Sequence, residues 1–462
     1  MKNRKEGIMK IVIVGAGVVG EEICTELSEG SNSHDVILIE KDAERLEKII
    51  ESNDITGLVG NGANYENLME AGVDKADIFI SVTEADELNI MACIMAKKMG
   101  AKYTIARVRN PEYSTNIRFV RDELGISLMI NPESEAAKNI VNKLKFPNAI
   151  NVESFFSNRA NIIELMINKE SKLAGLTTKE IDGIIKDKFI ICVVKRGDDI
   201  FIPKGNFKFE ADDRIYVTGT SDAVTNFYNE MGYKTKKINS VMIIGGGIIP
   251  HYLTEKLLKS KKQVKVIESS EKRAESLSRN YYDAIVVKGK ETDQKFLIGE
   301  GIENHDAIVA LTDNDEENIV ISLFAKSVNS GKILTKMSGT LLLPILEEQG
   351  FSAIVPKKII SDIIIRVVRA KLNVKSSKMN ALRRLFDTDV ESIIFEIGEE
   401  SKTINIPLKD LEVVPDLLIA SILRDHELIY PGGNDVIKPG DKVMIITLKR
   451  EIEDFDDIIA KS

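Results

Sequence analysis

The sequence predicts an α/β protein built by tandem duplication, with two doubly wound parallel-sheet domains that are each followed by a small α+β module. Three observations carry this prediction. A glycine-rich turn occurs twice, short apolar runs alternate with amphipathic stretches, and the spacing of the runs changes part-way through each copy. The 462 residues alone suggest about three domains, at roughly 150 residues per domain. The repeat replaces that number with four, two large and two small.

The duplication is read from positions. Gly15-Ala16-Gly17-Val18-Val19-Gly20 recurs as Gly245-Gly246-Gly247-Ile248-Ile249-Pro250. Thr83, Asp86, Glu87 and Asn89 match Thr312, Asp315, Glu316 and Asn318 at an offset of about 229. Pro203, Gly205, Asn206 and Asp213 match Pro431, Gly433, Asn434 and Asp441 at about 228. A near-constant offset over this distance means tandem copies of one unit, each about 230 residues. The expected domains are 1–148, 149–233, 238–375 and 376–462, with linkers at Lys234 to Lys237 and Lys375 to Lys378.

In chain order, the apolar runs Ile11 to Val14, Val36 to Ile39, Leu58-Val59, Ile78 to Val82, Thr104 to Val108 and Leu128 to Ile130 read as strands. Between them lie helical patterns; from Leu88 to Met99, residues Ile90, Met91, Ile94, Met95 and Lys98 fall at three and four spacing. Strands alternating with helices of this length imply a parallel sheet covered on both faces. From about Ala149 the runs become short strands, Phe189 to Val194, Ile200 to Pro203 and Arg214 to Thr218. Arg196-Gly197-Asp198-Asp199 has the composition of a hairpin turn between two of them.

Composition narrows the function classes. The 63 Lys and Arg against 72 Asp and Glu leave a net charge of -9, which argues against a general nucleic-acid binder. Apolar runs such as Phe189 to Val194 are far shorter than the roughly 20 residues of a membrane-spanning helix. The basic N-terminus leads into glycines rather than a cleavage site, so the chain reads as cytoplasmic, its first eight residues a simple extension before Met9. Cys24, Cys93 and Cys192 form no paired motif and sit among apolar neighbours, as core residues do.

Gly15-x-Gly17-x-x-Gly20 follows a strand and opens a helix, the context in which this fingerprint of Rossmann-like domains carries weight. Gly15 permits the tight turn, Gly17 leaves room for a pyrophosphate to approach the backbone, and Gly20 allows close packing of helix on sheet. Ala16, Val18 and Val19 complete the loop, whose N–H groups and helix dipole suit phosphate. Glu40 ends the second strand about twenty residues further on, where a carboxylate accepts from ribose hydroxyls and repels a 2'-phosphate. The site therefore favours NAD(H), with ATP or ADP as alternatives at the same place. Copy two keeps Gly245, Gly247 and Glu268, but Pro250 replaces the third glycine and removes a donor from the first helical turn, leaving open whether that site is occupied.

Other residues have two readings each. Thr83-x-x-Asp86 and Thr312-x-x-Asp315 have helix-capping spacing, although Thr83 at a strand end is also placed to line a nucleotide cleft. Arg107, with Lys336 as its counterpart, ends a strand where it could meet phosphate or form an ion pair. Asp313, Asp315, Glu316 and Glu317 read as a solvated helix start rather than a metal site. The four histidines lack zinc-site spacing, and no nucleophile motif is visible. A non-enzyme is therefore expected, with an NAD-dependent oxidoreductase and a stand-alone nucleotide sensor as the alternatives.

Together these features resemble the regulatory subunits of Trk-type potassium uptake systems, the TrkA family, which are built from two RCK (regulator of potassium conductance) units. Beyond the glycines, the resemblance rests on Gly60-Asn61-Gly62-Ala63, the strand from Asp77 to Thr83, Thr83-x-x-Asp86-Glu87-x-Asn89, Ala106-Arg107-Val108 and Asn131-Pro132-Glu133. The segment from Arg196-Gly197 to Pro203-x-Gly205, closed by Asp213, is similar to the family's C-terminal domain. Asn61 stands where the family usually has Asp, and Lys290 departs at the matching place. The resemblance implies an RCK N-terminal Rossmann domain and an RCK C-terminal domain in each copy. It further implies nucleotide contacts from Asn61, Gly62, Thr83 and Arg107, and a homo-oligomer, dimer or tetramer. Such a ring sits on the inner face of the cell membrane and gates a TrkH-like potassium-translocating protein.

Overall fold

A computed structural model describes residues 8–28, 34–110, 113, 117–147, 149–156, 160–185, 188–232, 237–329, 331–349, 351–372, 378–385, 390–448, 452 and 454–460. The N-terminal extension and most of both expected linkers, 233–236 and 373–377, lie outside them. The chain divides into two compact units, 1–141 with 238–368 and 142–237 with 369–462. Each unit takes one part from each copy of the repeat.

In the first unit, β1 (Lys10–Val14), β2 (Asp35–Glu40), β3 (Thr56–Val59), β4 (Ile78–Ser81), β5 (Tyr103–Arg107) and β6 (Leu128–Ile130) form a parallel sheet in the order β3-β2-β1-β4-β5-β6. β1 pairs with β2 on one side and β4 on the other, so the strand order reverses at β1. Ligands of open α/β sheets bind outside the carboxyl ends of strands at such a point. Ile11, Val12 and Ile13 are wholly buried because helices cover both faces. Helix Asp86–Met99 buries Ala92, Cys93 and Ala96, whereas Met91 of the expected apolar face is about half exposed.

The second unit holds β7 (Asn151–Phe155), β8 (Ala160–Met166), β9 (Phe189–Arg196), β10 (Asp199–Phe201) and β11 (Arg214–Gly219), in the order β10-β9-β11-β8-β7. The expected hairpin joins β9 to β10 through Gly197 at φ 59°. Asp213 is fully buried and bound by both arms of Arg196, Nε at 2.7 Å and Nη2 at 2.8 Å.

Copy two repeats both sheets. In the first unit, β12 (Ser240–Ile244), β13 (Gln263–Glu268), β14 (Ile285–Lys288), β15 (Ala307–Ala310), β16 (Lys332–Lys336) and β17 (Ser352–Ile354) run in the order β14-β13-β12-β15-β16-β17. In the second, β18 (Lys378–Arg384), β19 (Glu391–Glu396), β20 (Leu417–Arg424), β21 (Glu427–Ile429) and β22 (Lys442–Thr447) form a five-stranded sheet. Arg424 and Asp441 reproduce the buried pair at 2.7 Å. Where the first small module has helices Thr178–Ile184 and Ser221–Glu230, the second has single 3-10 turns, Leu408–Asp410 and Phe455–Ile458. One apolar cluster joins the two small sheets, with Phe155, Cys192 and Tyr216 against Leu385, Ile394 and Met444. All three cysteines are buried and unpaired. No helix among the described residues is long and apolar enough to cross a membrane.

Candidate nucleotide site

The turn after β1 leads into helix Val18–Ser28. Gly15 adopts φ 103°, which favours glycine, and lies against Thr83. A Cβ at Gly20 would stand 1.9 Å from the Gly15 carbonyl oxygen, so only a residue without one lets the helix close onto the turn. At Gly17 nothing lies within 4 Å of the Cβ position. Gly15 to Val19 line a cleft of about 1960 Å³ together with Glu40, Asn61, Gly62, Thr83 and Arg107, whereas Gly20 packs behind the loop.

Glu40 is buried, and the backbone already engages its carboxylate. Oε2 accepts from the Ala16 amide at 2.6 Å, and Oε1 accepts from the amides of Lys41 and Asp42 at 2.9 and 3.1 Å. A carboxylate has about four acceptor directions, so Glu40 shapes the glycine loop and keeps one for a hydroxyl. Asn61 Oδ1 accepts from the Ala63 amide at 3.0 Å, a local turn that holds its loop at the cleft.

Thr83 does not cap the next helix. The residue before Asp86 is Ala85, with no side-chain cap, and Thr83 Oγ1 instead donates to Asn89 Oδ1 at 2.7 Å. Asp86 is buried and accepts from the amides of Arg109 and Asn110 at 2.7–3.0 Å, so it clamps the loop after β5 rather than the helix dipole. Copy two corrects the same expectation: Asn314 is the cap, Thr312 bonds Asn318, and Asp315 holds Ser338 at 2.7 Å. Asn89, which is fully buried, is the hub. It also accepts from the Ser81 hydroxyl and the Thr83 amide, and it donates to the carbonyls of Thr83 and Arg107 at 3.0 and 2.9 Å.

Arg107 projects from the end of β5 into the cleft, and its Nε is buried without a partner. Burial is the main influence holding its ionisation below the ordinary guanidinium range, Arg109 adds to it, and Glu133, Asp86 and Glu84 oppose it. The expected ion pair belongs to Arg109 instead, whose Nε lies 2.6 Å from Glu133 Oε1. A partly buried cation with an open, buried donor beside a glycine loop fits a phosphate group.

The far wall of the same cleft comes from copy two, through Gly247, Ile248, Pro250, His251, Arg273 and Lys336. Tyr252 fixes the walls together, its hydroxyl accepting from Asn131 Nδ2 at 2.9 Å. Gly245 and Glu268 lie outside this cleft. Gly245 lines a smaller pocket of about 320 Å³, with Lys290 and Thr312. Pro250 stands where Gly20 closes onto its turn, and its ring removes an N–H donor from the first helical turn. Lys336 Nζ donates to the Thr312 carbonyl at 2.9 Å and lies 3.9 Å from Asp313, which also pairs with Arg273. The acidic run at the start of helix Asp315–Val328 is thus partly occupied in ion pairs, and no group of acids, histidines or cysteines among the described residues could hold a metal.

The TrkA-N domain model matches residues 11–132 and 241–357, and the TrkA-C domain model matches 162–232 and 393–460. A Trk system potassium uptake protein TrkA homolog of Archaeoglobus fulgidus is 32% identical over 451 residues, which cover 97% of this chain and 100% of the relative. This chain belongs to the TrkA family. A second relative, TrkA homolog 2 of Methanosarcina mazei, is 30% identical over 459 residues, 97% of this chain and 100% of that one. Among solved structures, a GsuK channel bound to NAD shares the fold at a TM-score of 0.59 and 16% identity, covering 99% of this chain and 80% of that chain.

For this TrkA family member, the structure brings the expected glycine loop, Thr83 and Arg107 to one cleft, but sequence reasoning missed Asn89 as the link between Thr83 and Arg107 and copy two as the far wall. Asn89 stood out only as a repeated position, matched by Asn318. The duplication was the available signal for the second wall.

Proposed function

We propose that this chain is the nucleotide-binding regulatory subunit of a potassium uptake system. It binds NAD(H), with ADP or ATP as alternatives, in the first copy's pocket and thereby sets the state of a separate, TrkH-like potassium-translocating membrane protein. The chain acts as a homo-oligomer at the inner face of the membrane, with a regulatory rather than an enzymatic role. Family membership and the names of the relatives support the potassium reading. The observation that carries the nucleotide reading is the buried, unpartnered Nε of Arg107 in the cleft that Gly17 also lines.

When bound, the nucleotide supplies a phosphate chain and hydroxyl groups. The loop amides and the N-terminus of helix Val18–Ser28 take the phosphates, Arg107 answers their charge, and Glu40 accepts from the ribose. Arg107 and Arg109 of copy one share the cleft with Lys336 of copy two, and Arg109 repels both of the others. An anion between them relieves that repulsion and draws the walls inward. Such a ligand binds the closed shape more tightly, and a ligand shifts a two-state equilibrium through that difference alone.

Titration calorimetry of the full chain with NADH and ADP tests the reading. Binding with Kd on the order of micromolar to tens of micromolar is expected, and the absence of any binding at millimolar nucleotide would refute it.

A further inference from the structure

We propose that Arg273 latches the second pocket shut against adenine nucleotides, so that the two copies, though alike in fold, are unequal in occupancy. This rests on reading the first pocket as a nucleotide site.

Arg45 and Arg273 hold matching positions, each five residues beyond the glutamate that ends the second strand of its sheet. In copy two the guanidinium bridges two carboxylates, with Nη2 2.9 Å from Glu268 Oε1 and Nη1 3.0 Å from Asp313 Oδ2. The Glu268 side chain is 0% exposed beneath it, and its Oε2 has no partner. A Cβ at Gly246 would stand 2.4 Å from that oxygen, so the carboxylate occupies space that only glycine leaves; copy one has Ala16 there.

Copy one has the same parts unlatched. Glu40 is held by backbone amides, and Arg45 lines the open cleft with no ion pair among the described residues. Arg273 of the second pocket is answered by that copy's own acids, while Arg45 and Arg107 of the first have no ion pair among the described residues. A nucleotide entering the second pocket must part Arg273 from two carboxylates. Its ribose diol is the donor that suits Glu268 Oε2, an acceptor that burial makes costly to leave open. The latch thus acts as a tax on binding, equal to the rarity of the open state.

The test is equilibrium dialysis of the full chain against NADH, reading moles bound per chain. Wild type is expected to bind one. R273Q is expected to bind two, through a gain of at least ~10-fold in second-pocket affinity, and G17D/R273Q to bind one again. D313N removes one arm of the latch while leaving Glu268 paired, and a smaller gain in the same direction is expected. The inference fails if R273Q and D313N stay at one site, or if wild type already binds two. Wild type binding none would instead refute the nucleotide reading on which the inference rests.

Discussion

Arg107 pays a desolvation cost and keeps a buried, unpartnered Nε, so the proposed function casts it as a binding group rather than a structural one. R107Q should weaken NADH binding by about 1.5–3 kcal/mol, roughly tenfold to a hundredfold, while the melting temperature holds or rises. A fall in stability with unchanged affinity would give Arg107 a structural role. G17D, placed where a Cβ meets nothing within 4 Å, should abolish binding at the first pocket and leave the fold intact by circular dichroism. His251 supplies a pH dependence. Burial holds its pKa below the ordinary value of 6.5, with Glu255 opposing, and Nε2 lies 3.0 Å from the Tyr281 hydroxyl. A depressed histidine leaves stability whole above about 6.5; as pH falls below that, the unfolded chain gains a proton that the fold resists, and stability declines. Melting temperature should therefore drop from pH 6.5 downward, and H251F should flatten that slope. At this scale the glycines were legible because they answer to local backbone geometry. Asp86 was not, because its partners are the amides of Arg109 and Asn110, on another strand's exit loop.

The strand ends are aligned by side chains on the neighbouring helix. Asn89 ties β4 to the exit of β5 through five hydrogen bonds, and N89A would leave the Thr83 amide and the Arg107 carbonyl short of a partner. A loss of about 2–4 kcal/mol in urea unfolding is expected, together with weaker nucleotide binding because Arg107 loses its anchor. The six strands of the first parallel sheet could be read from apolar runs, most of them buried on both faces, and the repeat extends that reading to the second. Helix Asp86–Met99 was found from its large apolar residues, but its inner face is the small set Ala92, Cys93 and Ala96, which packs closely on the sheet. Met91 points outward for the same reason. β7 went unread because Asn151, Glu153 and Ser154 dilute its apolar signal, and pairing with β8 supplies what local sequence does not.

For the whole molecule, the constant offset made the duplication and the order of its parts visible. It could not show that the two Rossmann copies share one unit and the two small modules the other, because that depends on which surfaces match rather than on any periodicity. The shared cleft follows from this pairing, and under the proposed function its cation-bearing walls are what would give nucleotide binding a mechanical consequence. The central claim is that nucleotide in this cleft regulates potassium movement through a membrane partner. Potassium flux should be measured in vesicles holding that partner and the full chain, with and without NADH or ADP, beside the G17D variant. Flux that depends on nucleotide with wild type and not with G17D is the predicted result; equal flux under all four conditions would contradict the account.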